Sequence, residues 1–101
     1  MIYVLHMLDR SGTAALRAEV RGAHKAYLAQ VADRIAFAGP LLSDDGLRMA
    51  GSLLAIDFDS AAAARAWLEA EPFTRAGLYG QTLVHSFENL WPQQAGFPPH
   101  P

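Results

Sequence analysis

One apolar segment near the start of the chain constrains the fold more than any other feature. Residues 2–8 are apolar at both alternating positions, and only His6 interrupts them. Successive side chains of a strand point to opposite sides of its sheet, so apolar residues at both positions are typical of a strand covered on both faces. We therefore expect a central β-strand here, with a further layer against each face.

Two later segments have the periodicity of amphipathic helices. The first helix is predicted from the N-cap Thr13 to about Arg34, because its apolar residues recur every three or four positions. These apolar residues are Leu16, Val20, Ala23, Tyr27 and Val31. The second helix is predicted over residues 61–70, after the capping residues Asp59 and Ser60.

Three further segments are predicted to be strands. They span residues 35–38, 51–59 and 81–88. Gly39 and Pro40 close the first of them, and residues 41–48 form a predicted loop or hairpin tip before the next. In that next strand, alternation puts Ser52 on the same face as Leu54, which is the face predicted to meet the helices.

The order of these elements defines the fold class. Strand, helix, strand, strand, helix, strand is the ferredoxin-like βαββαβ pattern of α+β proteins, in which one antiparallel sheet carries both helices on one face. The first and third strands are then central, and the last strand lies beside the first. We predict a single domain of residues 1–90 that contains all six elements, followed by a tail of residues 91–101 without a regular pattern.

The sheet face without helices is predicted to be a homodimer interface. Because residues 2–8 are apolar at both positions, apolar side chains must also lie on this open face. An exposed apolar patch of this kind usually marks a partner surface. We expect two copies to pack through it, and the tail residues Trp91 and Phe97 to lie across the partner or seal its pocket.

Composition and charge exclude several kinds of partner and chemistry. The chain has no cysteine, which removes disulfides and thiolate chemistry and fits a reducing compartment, so we expect a cytoplasmic protein. The net charge of −2 comes without a basic stripe, so no nucleic-acid partner is expected. No apolar run approaches the roughly 20 residues that span a bilayer, and no phosphate-binding loop is present, so neither a membrane nor a cofactor is expected.

His24 is the first candidate for a chemical role. With about 100° between successive helical residues, it lies at the rim of the apolar stripe, in one column with Arg17, Arg21 and Leu28. An imidazole in a pocket can act as a general acid or base near neutral pH, and the arginines can bind an anion or a carboxylate of the protein itself. Spacing alone leaves open a core histidine with surface arginines beside it.

Glu71 and Ser52 are the candidate partners of His24. Glu71 precedes Pro72 at a break in the chain, so its side chain could point into a pocket and orient the histidine. Alternatively, Glu71 caps the short helical turn that Pro72 opens, a turn that Gly77 is predicted to end in a left-handed conformation. Ser52 could hydrogen-bond a ligand or satisfy the end of its strand.

The other histidines do not make a convincing metal site. His6 and His85 lie on strands that are predicted to be neighbours, but no carboxylate or second histidine stands at ligand spacing beside either of them. We therefore expect no bound metal. His100 lies in the tail and is expected to have no role.

Several short motifs occur in an order that is typical of one family. They are Arg21-x-x-His24, Gly39-Pro40-Leu41, Asp44-Asp45-Gly46, Gly51-Ser52, Glu71-Pro72-Phe73 and Ala76-Gly77-Leu78. Together they make the chain, from residue 2 to about residue 90, resemble the YciI-like (YCII-related) family. The resemblance implies a dimeric ferredoxin-like α+β barrel, similar to muconolactone isomerase, with a histidine–aspartate pair in a pocket as its active site.

The resemblance also implies a function and residue roles. His24 is the family's histidine, and Glu71 replaces its aspartate, with a methylene that displaces the carboxylate by about 1.5 Å. One relative acts as a dehydrochlorinase on a chlorinated hydroxyhydroquinone. We therefore predict a cofactor-independent enzyme in which His24 and Glu71 transfer a proton on a small aromatic or anionic metabolite, by lyase- or isomerase-type chemistry. Arg21 and Ser52 would bind this substrate.

Two non-enzymatic readings remain open at this point. The same pocket could belong to a dimeric domain that binds a small molecule without converting it. It could also be the vestige of a site in a structural dimerisation domain. Loss of turnover on substitution of His24 would separate the enzyme from both.

Overall fold

The computed structural model describes residues 1–99 and consists of four strands, three helices and one 3-10 turn. Its elements are β1 (Ile2–Asp9), α1 (Ala14–Ala29), the 3-10 turn (Ala32–Arg34), β2 (Ile35–Leu42), β3 (Met49–Asp57), α2 (Ala61–Ala70), α3 (Pro72–Arg75) and β4 (Tyr79–Phe87). None of the helices in this part of the chain is both long and apolar enough to cross a membrane.

The four strands form one antiparallel sheet in the order β2-β3-β1-β4. Leu5 of β1 lies opposite Leu54 of β3 on one side and opposite Val84 of β4 on the other. The first apolar segment is therefore a central strand, as its composition predicted. The sheet order and the placement of both long helices on one face confirm the predicted ferredoxin-like α+β fold.

The hydrophobic core lies between the sheet and the helices. Its buried side chains are Tyr3, Leu5, Met7, Val31, Leu54, Ile56, Phe58, Ala64 and Leu68. Each fully buried large aliphatic side chain stabilises the fold by about 1.5–3 kcal/mol. Ser52 lies on the same face of β3 as Leu54 and Ile56 and is buried, as alternation predicted. A polar residue at this position brings hydrogen-bonding chemistry to the edge of the core.

The second helix has the bounds that its sequence predicted. It spans Ala61–Ala70, and the Ser60 hydroxyl accepts a hydrogen bond from the backbone N–H of Ala63 at 3.1 Å. A serine N-cap of this kind typically stabilises a helix by about 1 kcal/mol. The start of α2 is thus fixed by local chemistry that is visible in the sequence.

The first helix is shorter than predicted, because it ends at Ala29 and not near Arg34. The backbone N–H groups of Gln30 and Val31 bond to carbonyls three residues earlier, which tightens the last turn, and Val31 leaves helical geometry at φ −120° and ψ 21°. Its side chain is nevertheless buried in the core. The apolar period therefore continues past the true end of the helix, which is why periodicity placed that end too late.

The second strand is longer than predicted, since β2 continues through Gly39 and Pro40 to Leu42. Pro40 lies opposite Ser52 in the register of β2 and β3. β2 is an edge strand, where a residue without an N–H group is tolerated. The prediction that Gly39 and Pro40 close the strand was wrong because a proline ends a central strand but not necessarily an edge strand.

Close backbone packing holds β3 against β1 immediately beside Ser52. A Cβ atom at Gly51 would lie only 2.2 Å from the carbonyl oxygen of Met7. No side chain fits at that distance, and the atom it would meet belongs to backbone in the middle of the sheet. Glycine at this position therefore sets how closely the two central strands approach beside the site.

The other face of the sheet has no helix against it in the described chain. Val4, Leu53 and Leu83 alternate with core residues along their strands and so point to this open face. His6 and His85 also lie there, two register positions apart on β1 and β4. Among residues 1–99 no group of three or more potential metal ligands occurs.

The tail lies over one end of the open face. The ring of Phe97 packs at 5.7 Å from that of Phe37, and a cavity of about 600 Å³ beneath the tail is lined by Ile2, Phe87 and Trp91, among others. Trp91 itself is 83% exposed. Its predicted contact with a partner remains a prediction, and the role predicted for His100 concerns a residue outside the described part of the chain.

Candidate active site

His24 and Glu71 meet at the centre of the candidate site. The Nδ1 atom of His24 lies 2.5 Å from Oε1 of Glu71 and donates a hydrogen bond to it. The side chain of Glu71 is completely buried, and that of His24 is 12% exposed. With Nδ1 committed to the carboxylate, Nε2 is the ring nitrogen left without a partner among residues 1–99. The carboxylate orients the imidazole through Nδ1, and Nε2 can accept a proton, which suits a general base.

A short helix fixes the position of Glu71. Glu71 is the N-cap of α3, and the same Oε1 atom accepts a hydrogen bond from the backbone N–H of Phe73 at 3.2 Å, with Pro72 at the first helical position. The capping role and the contact with His24, which sequence reasoning treated as alternatives, therefore coexist. The additional methylene of glutamate does not prevent the contact.

The end of α3 is fixed by backbone chemistry. Gly77 adopts a positive φ of 76°, and its N–H bonds to the carbonyl of Thr74, while the N–H of Leu78 bonds to that of Phe73. This is a Schellman motif, which requires a left-handed residue after the helix. It confirms the conformation predicted for Gly77. It also fixes the C-terminal end of α3, the helix that Glu71 caps and that contains Phe73.

Phe73 packs against two basic side chains of the site. Its ring stacks on the imidazole of His24 with the centroids 4.0 Å apart, and the guanidinium carbon of Arg17 lies 4.7 Å from the ring centroid. Phe73 is itself fully buried. Aromatic stacking is worth roughly 0.5–1.5 kcal/mol beyond area burial, so it restricts rotation of the imidazole.

Arg17 is the most deeply buried basic residue of the site, at 7% exposure. Its Nε atom donates to Oδ2 of Asp9 at 2.7 Å, and its Nη2 atom donates to Oδ1 at 2.9 Å. Two parallel bonds of this type fix a guanidinium in position as well as neutralising it. Arg17 therefore binds a carboxylate of the protein itself, which is one of the two roles predicted for the arginines.

Ser52 joins this ion pair to a tyrosine at the other edge of the site. Its Oγ atom accepts one hydrogen bond from Nη2 of Arg17 at 3.1 Å and another from the Tyr79 hydroxyl at 3.0 Å. Ser52 is 2% exposed. The serine hydroxyl is thus held by two donors, one from α1 and one from β4.

Burial of Tyr79 keeps its phenol protonated. Removal from water raises the pKa of Tyr79 well above its ordinary value, and the nearby Glu71 carboxylate raises it further, while the charge of Arg17 opposes the shift. Burial, with a smaller contribution from Glu71, also raises the pKa of Tyr27, whose hydroxyl donates to the carbonyl of Trp67. Both phenols therefore remain hydrogen-bond donors near neutral pH.

A small cavity opens beside these residues. Its volume is about 160 Å³, and its lining includes Arg17, Arg21, His24, Ser52, Leu54 and Phe73. A cavity of about 150 Å³ can hold a benzene ring, so a single ring fits here. The larger cavity beneath the tail has no titratable side chain in its lining, so it offers no acid or base for catalysis.

Arg21 and Arg17 occupy different environments, although both belong to the predicted column on α1. Arg21 is exposed at the mouth of the cavity and forms no ion pair with any residue in the described range 1–99. Ala23, which was assigned to the apolar stripe, is also exposed. The buried side of α1 is therefore turned towards Arg17 and His24 relative to the predicted stripe.

Sequence reasoning brought His24, Glu71, Arg21 and Ser52 to one place but missed two members of the network. Asp9 was read as part of a turn, although it directly follows the apolar run of residues 2–8 and is the last residue of β1. Tyr79 was placed before the last strand, whereas β4 begins with it, opposite Asp9. A charge at the end of a buried strand was the available signal for Asp9; Tyr79 had none.

Comparisons with known proteins identify the relatives of this chain. It matches the family model of the YCII-related domain over residues 1–88. Protein YciI of Escherichia coli O6:H1 is 33% identical over 98 residues, which cover 90% of this chain and 100% of that protein. An uncharacterized protein of Haemophilus influenzae is 31% identical with the same coverage.

A solved structure is similar over most of its length. It is the 5-chloro-2-hydroxyhydroquinone dehydrochlorinase TftG of Burkholderia phenoliruptrix AC1100, in complex with 2,5-dihydroxybenzoquinone. The TM-score is 0.81 at 32% identity, over 87% of this chain and 94% of the other. That neighbour is an enzyme acting on a small molecule, and its structure contains a small-molecule ligand.

Fold and site together define a small ferredoxin-like α+β protein with a buried histidine–carboxylate contact beside a ring-sized cavity. The chain belongs to the YCII-related domain family, as the order of its short motifs predicted.

Proposed function

We propose that the chain is a small cofactor-independent enzyme of lyase or isomerase type, in which His24 and Glu71 move a proton on a small ring-shaped metabolite. The observation that carries the proposal is the bond from His24 Nδ1 to the buried Glu71 carboxylate. It leaves Nε2 as a proton acceptor on a side chain that lines the cavity. The dehydrochlorinase activity of the similar solved structure supports the same class of chemistry.

The proposed step balances without an external reagent. In an elimination, Nε2 of His24 takes a proton from the ligand, the electron pair of the broken bond forms a new π-bond, and a leaving group such as chloride departs with its own bonding pair. In an isomerisation, the same nitrogen returns the proton to a different atom. Glu71 stabilises the imidazolium that exists between the two halves of either reaction.

The proposed substrate is a six-membered ring with oxygen substituents. The cavity volume of about 160 Å³ suits one ring, and the ligand of the similar structure is a dihydroxybenzoquinone. Arg21, at the mouth of the cavity and without a carboxylate partner among residues 1–99, would attract an anionic form of the ligand. Ser52 would add a hydrogen bond from inside the cavity.

Turnover by His24 variants tests this function. Chlorinated hydroquinones and lactones are offered to the wild type, to His24→Ala and to His85→Ala, which removes a histidine from the open face. We expect turnover by the wild type and by His85→Ala, with a loss of roughly 10²-fold or more in His24→Ala. Turnover that survives in His24→Ala would exclude this mechanism.

A specific observation favours a second function, that of a non-catalytic binding domain. Oε1 of Glu71 already caps α3, so the carboxylate has a structural reason to be where it is. Under this alternative, wild type and His24→Ala bind ring compounds but neither converts them. Calorimetric binding without turnover by the wild type would decide for the binding domain.

We also propose that the protein is cytoplasmic and has one domain of residues 1–90, followed by a tail. Two copies would pack through the open sheet face. The apolar side chains of Val4, Leu53 and Leu83 on that face support the dimer. Light scattering should give twice the chain mass of 10.9 kDa at micromolar concentration. Leu53→Glu should reduce the mass to that of one chain, whereas Ala62→Glu on the exposed side of α2 should not; a monomeric wild type would contradict the dimer.

A further inference from the structure

We infer that the Ser52 hydroxyl is an obligate hydrogen-bond donor towards the cavity, held in that state by Arg17 and Tyr79, so that the ligand presents an acceptor oxygen to it. The inference deepens the proposed function, because it rests on the cavity beside His24 being a ligand site. It concerns the polarity of one hydroxyl, which decides the kind of ligand atom that can sit next to it.

The two bonds to Ser52 use up its capacity to accept. A hydroxyl has one donor hydrogen and two acceptor lone pairs. Arg17 Nη2 and the Tyr79 hydroxyl both donate to Oγ, at 3.1 Å and 3.0 Å. A guanidinium has no acceptor atom, so the bond from Arg17 cannot reverse. The hydrogen of Ser52 must therefore find its acceptor elsewhere.

Both donors are themselves fixed. The bidentate bond to Asp9 leaves Arg17 no freedom to turn its Nη2 away from Ser52. Burial raises the pKa of Tyr79, so its phenol keeps its proton, and among residues 1–99 Ser52 Oγ is the one acceptor that this proton reaches. The polarity of the serine is thus set by residues from β1, α1 and β4 that do not depend on a ligand.

The hydroxyl hydrogen of Ser52 can be donated to a ligand in the cavity. Ser52 lines it, and no residue in the described range 1–99 accepts a hydrogen bond from Oγ. A buried donor without an acceptor costs free energy, which a ligand oxygen would relieve. His24 lines the same cavity and offers the opposite polarity, an accepting Nε2.

The two polarities define a ligand class. A suitable ligand has a group that gives a proton to His24 and an oxygen that accepts from Ser52, and a carbonyl oxygen or an oxyanion accepts most strongly. A hydroxylated ring that also bears a carbonyl meets both requirements. A ring with hydroxyl groups alone offers Ser52 only weakly accepting oxygens.

Binding measurements with two probes test the inference. The probes are 2,5-dihydroxybenzoquinone, which has hydroxyl and carbonyl oxygens, and hydroquinone, which has hydroxyls only. We expect Ser52→Ala to weaken binding of the first probe roughly ten- to hundredfold and to affect the second much less. Tyr3→Phe, a matched control in the core away from Ser52, should leave both affinities unchanged. Equal binding of the first probe by wild type and Ser52→Ala would overturn the inference, as would a wild type that binds neither probe.

A double-mutant cycle distinguishes positioning from a merely structural role of Tyr79. Tyr79→Phe should weaken the preference for 2,5-dihydroxybenzoquinone over hydroquinone in the wild-type background but have no further effect in Ser52→Ala. An equal loss in both backgrounds would show that Tyr79 does not act through the serine. Failure of the proposed enzyme function is recognised separately, because it appears as an absence of turnover in the wild type or as turnover that is independent of His24, whatever the Ser52 variants bind.

Discussion

The Nδ1 atom of His24 and the Oε1 atom of Glu71 lie 2.5 Å apart, although 47 positions separate the two residues in the chain. The same oxygen accepts the backbone N–H of Phe73 at the start of α3. One atom therefore connects the orientation of the imidazole to the position of a helix. A substitution of Glu71 has to be chosen so that it changes the charge and keeps the cap.

Glu71→Gln is that substitution. The amide oxygen can still accept from Phe73, but the negative charge that stabilises the imidazolium is lost, so we expect turnover to fall by roughly 10²-fold. Thermal unfolding should change little, because the helix cap remains. Glu69→Gln, at an exposed position of α2, is the matched control. An unchanged rate in Glu71→Gln would show that the carboxylate serves only the fold.

Asp9→Asn should destabilise the protein strongly. It leaves the Arg17 guanidinium buried with no compensating charge, and breaking one partner of a buried ion pair costs about 3–5 kcal/mol. Asp57→Asn breaks the exposed pair with the N-terminal amine instead and should cost no more than about 1 kcal/mol. Urea unfolding at equilibrium compares the two. Similar losses in both variants would mean that the Asp9–Arg17 pair is not essential to stability.

Gly51→Ala should destabilise the sheet next to the site. The new Cβ atom would lie 2.2 Å from a backbone oxygen of Met7, and forced repacking of this kind costs about 1–3 kcal/mol. Gly39→Ala on the neighbouring strand meets nothing within 4 Å and should be neutral or slightly stabilising. Chemical unfolding of the pair measures the difference, and equal stability would contradict the close approach of β1 and β3.

Tyr79 should make the protein sensitive to alkaline pH. Its folded pKa is raised by burial above the unfolded value of about 10, so the folded state holds a proton that the unfolded state loses. The stability linked to this proton is fully present below about pH 10 and falls as the pH rises further, by at most about 1.4 kcal/mol per pH unit. Tyr79→Phe should lose stability less steeply over the same range. Parallel unfolding curves for the two proteins above pH 10 would refute this.

The sequence predicted the fold well because its signals were local or repeated. The apolar run that became β1, the Ser60 cap and the left-handed Gly77 each depend on a few adjacent residues. The end of α1 was predicted too late because Val31 continues the apolar period but packs into the core from outside the helix. The predicted second strand was too short because an edge strand such as β2 tolerates a proline, which has no N–H group to donate.

The site was predictable only in part, and the reason is distance along the chain. The chain break at Pro72 made Glu71 a candidate partner of His24, and the family motifs supported the pairing, but nothing in the spacing of two residues 47 positions apart indicates contact. Arg17 was read as one of two similar arginines, because a sequence does not say which has a buried carboxylate to meet. Asp9 and Tyr79 become neighbours only through the pairing of β1 with β4.

The hydrogen bonds of Ser52 have a consequence for biosynthesis. Its two donors come from 35 positions before it and 27 positions after it, on elements that flank the chain's midpoint. A nascent chain cannot assemble this cluster until the segment that becomes β4 has left the ribosome, and contacts of such long sequence separation form slowly. Ligand recognition should therefore appear only once β4 has been made, and fragments that end before Tyr79 should show none of it.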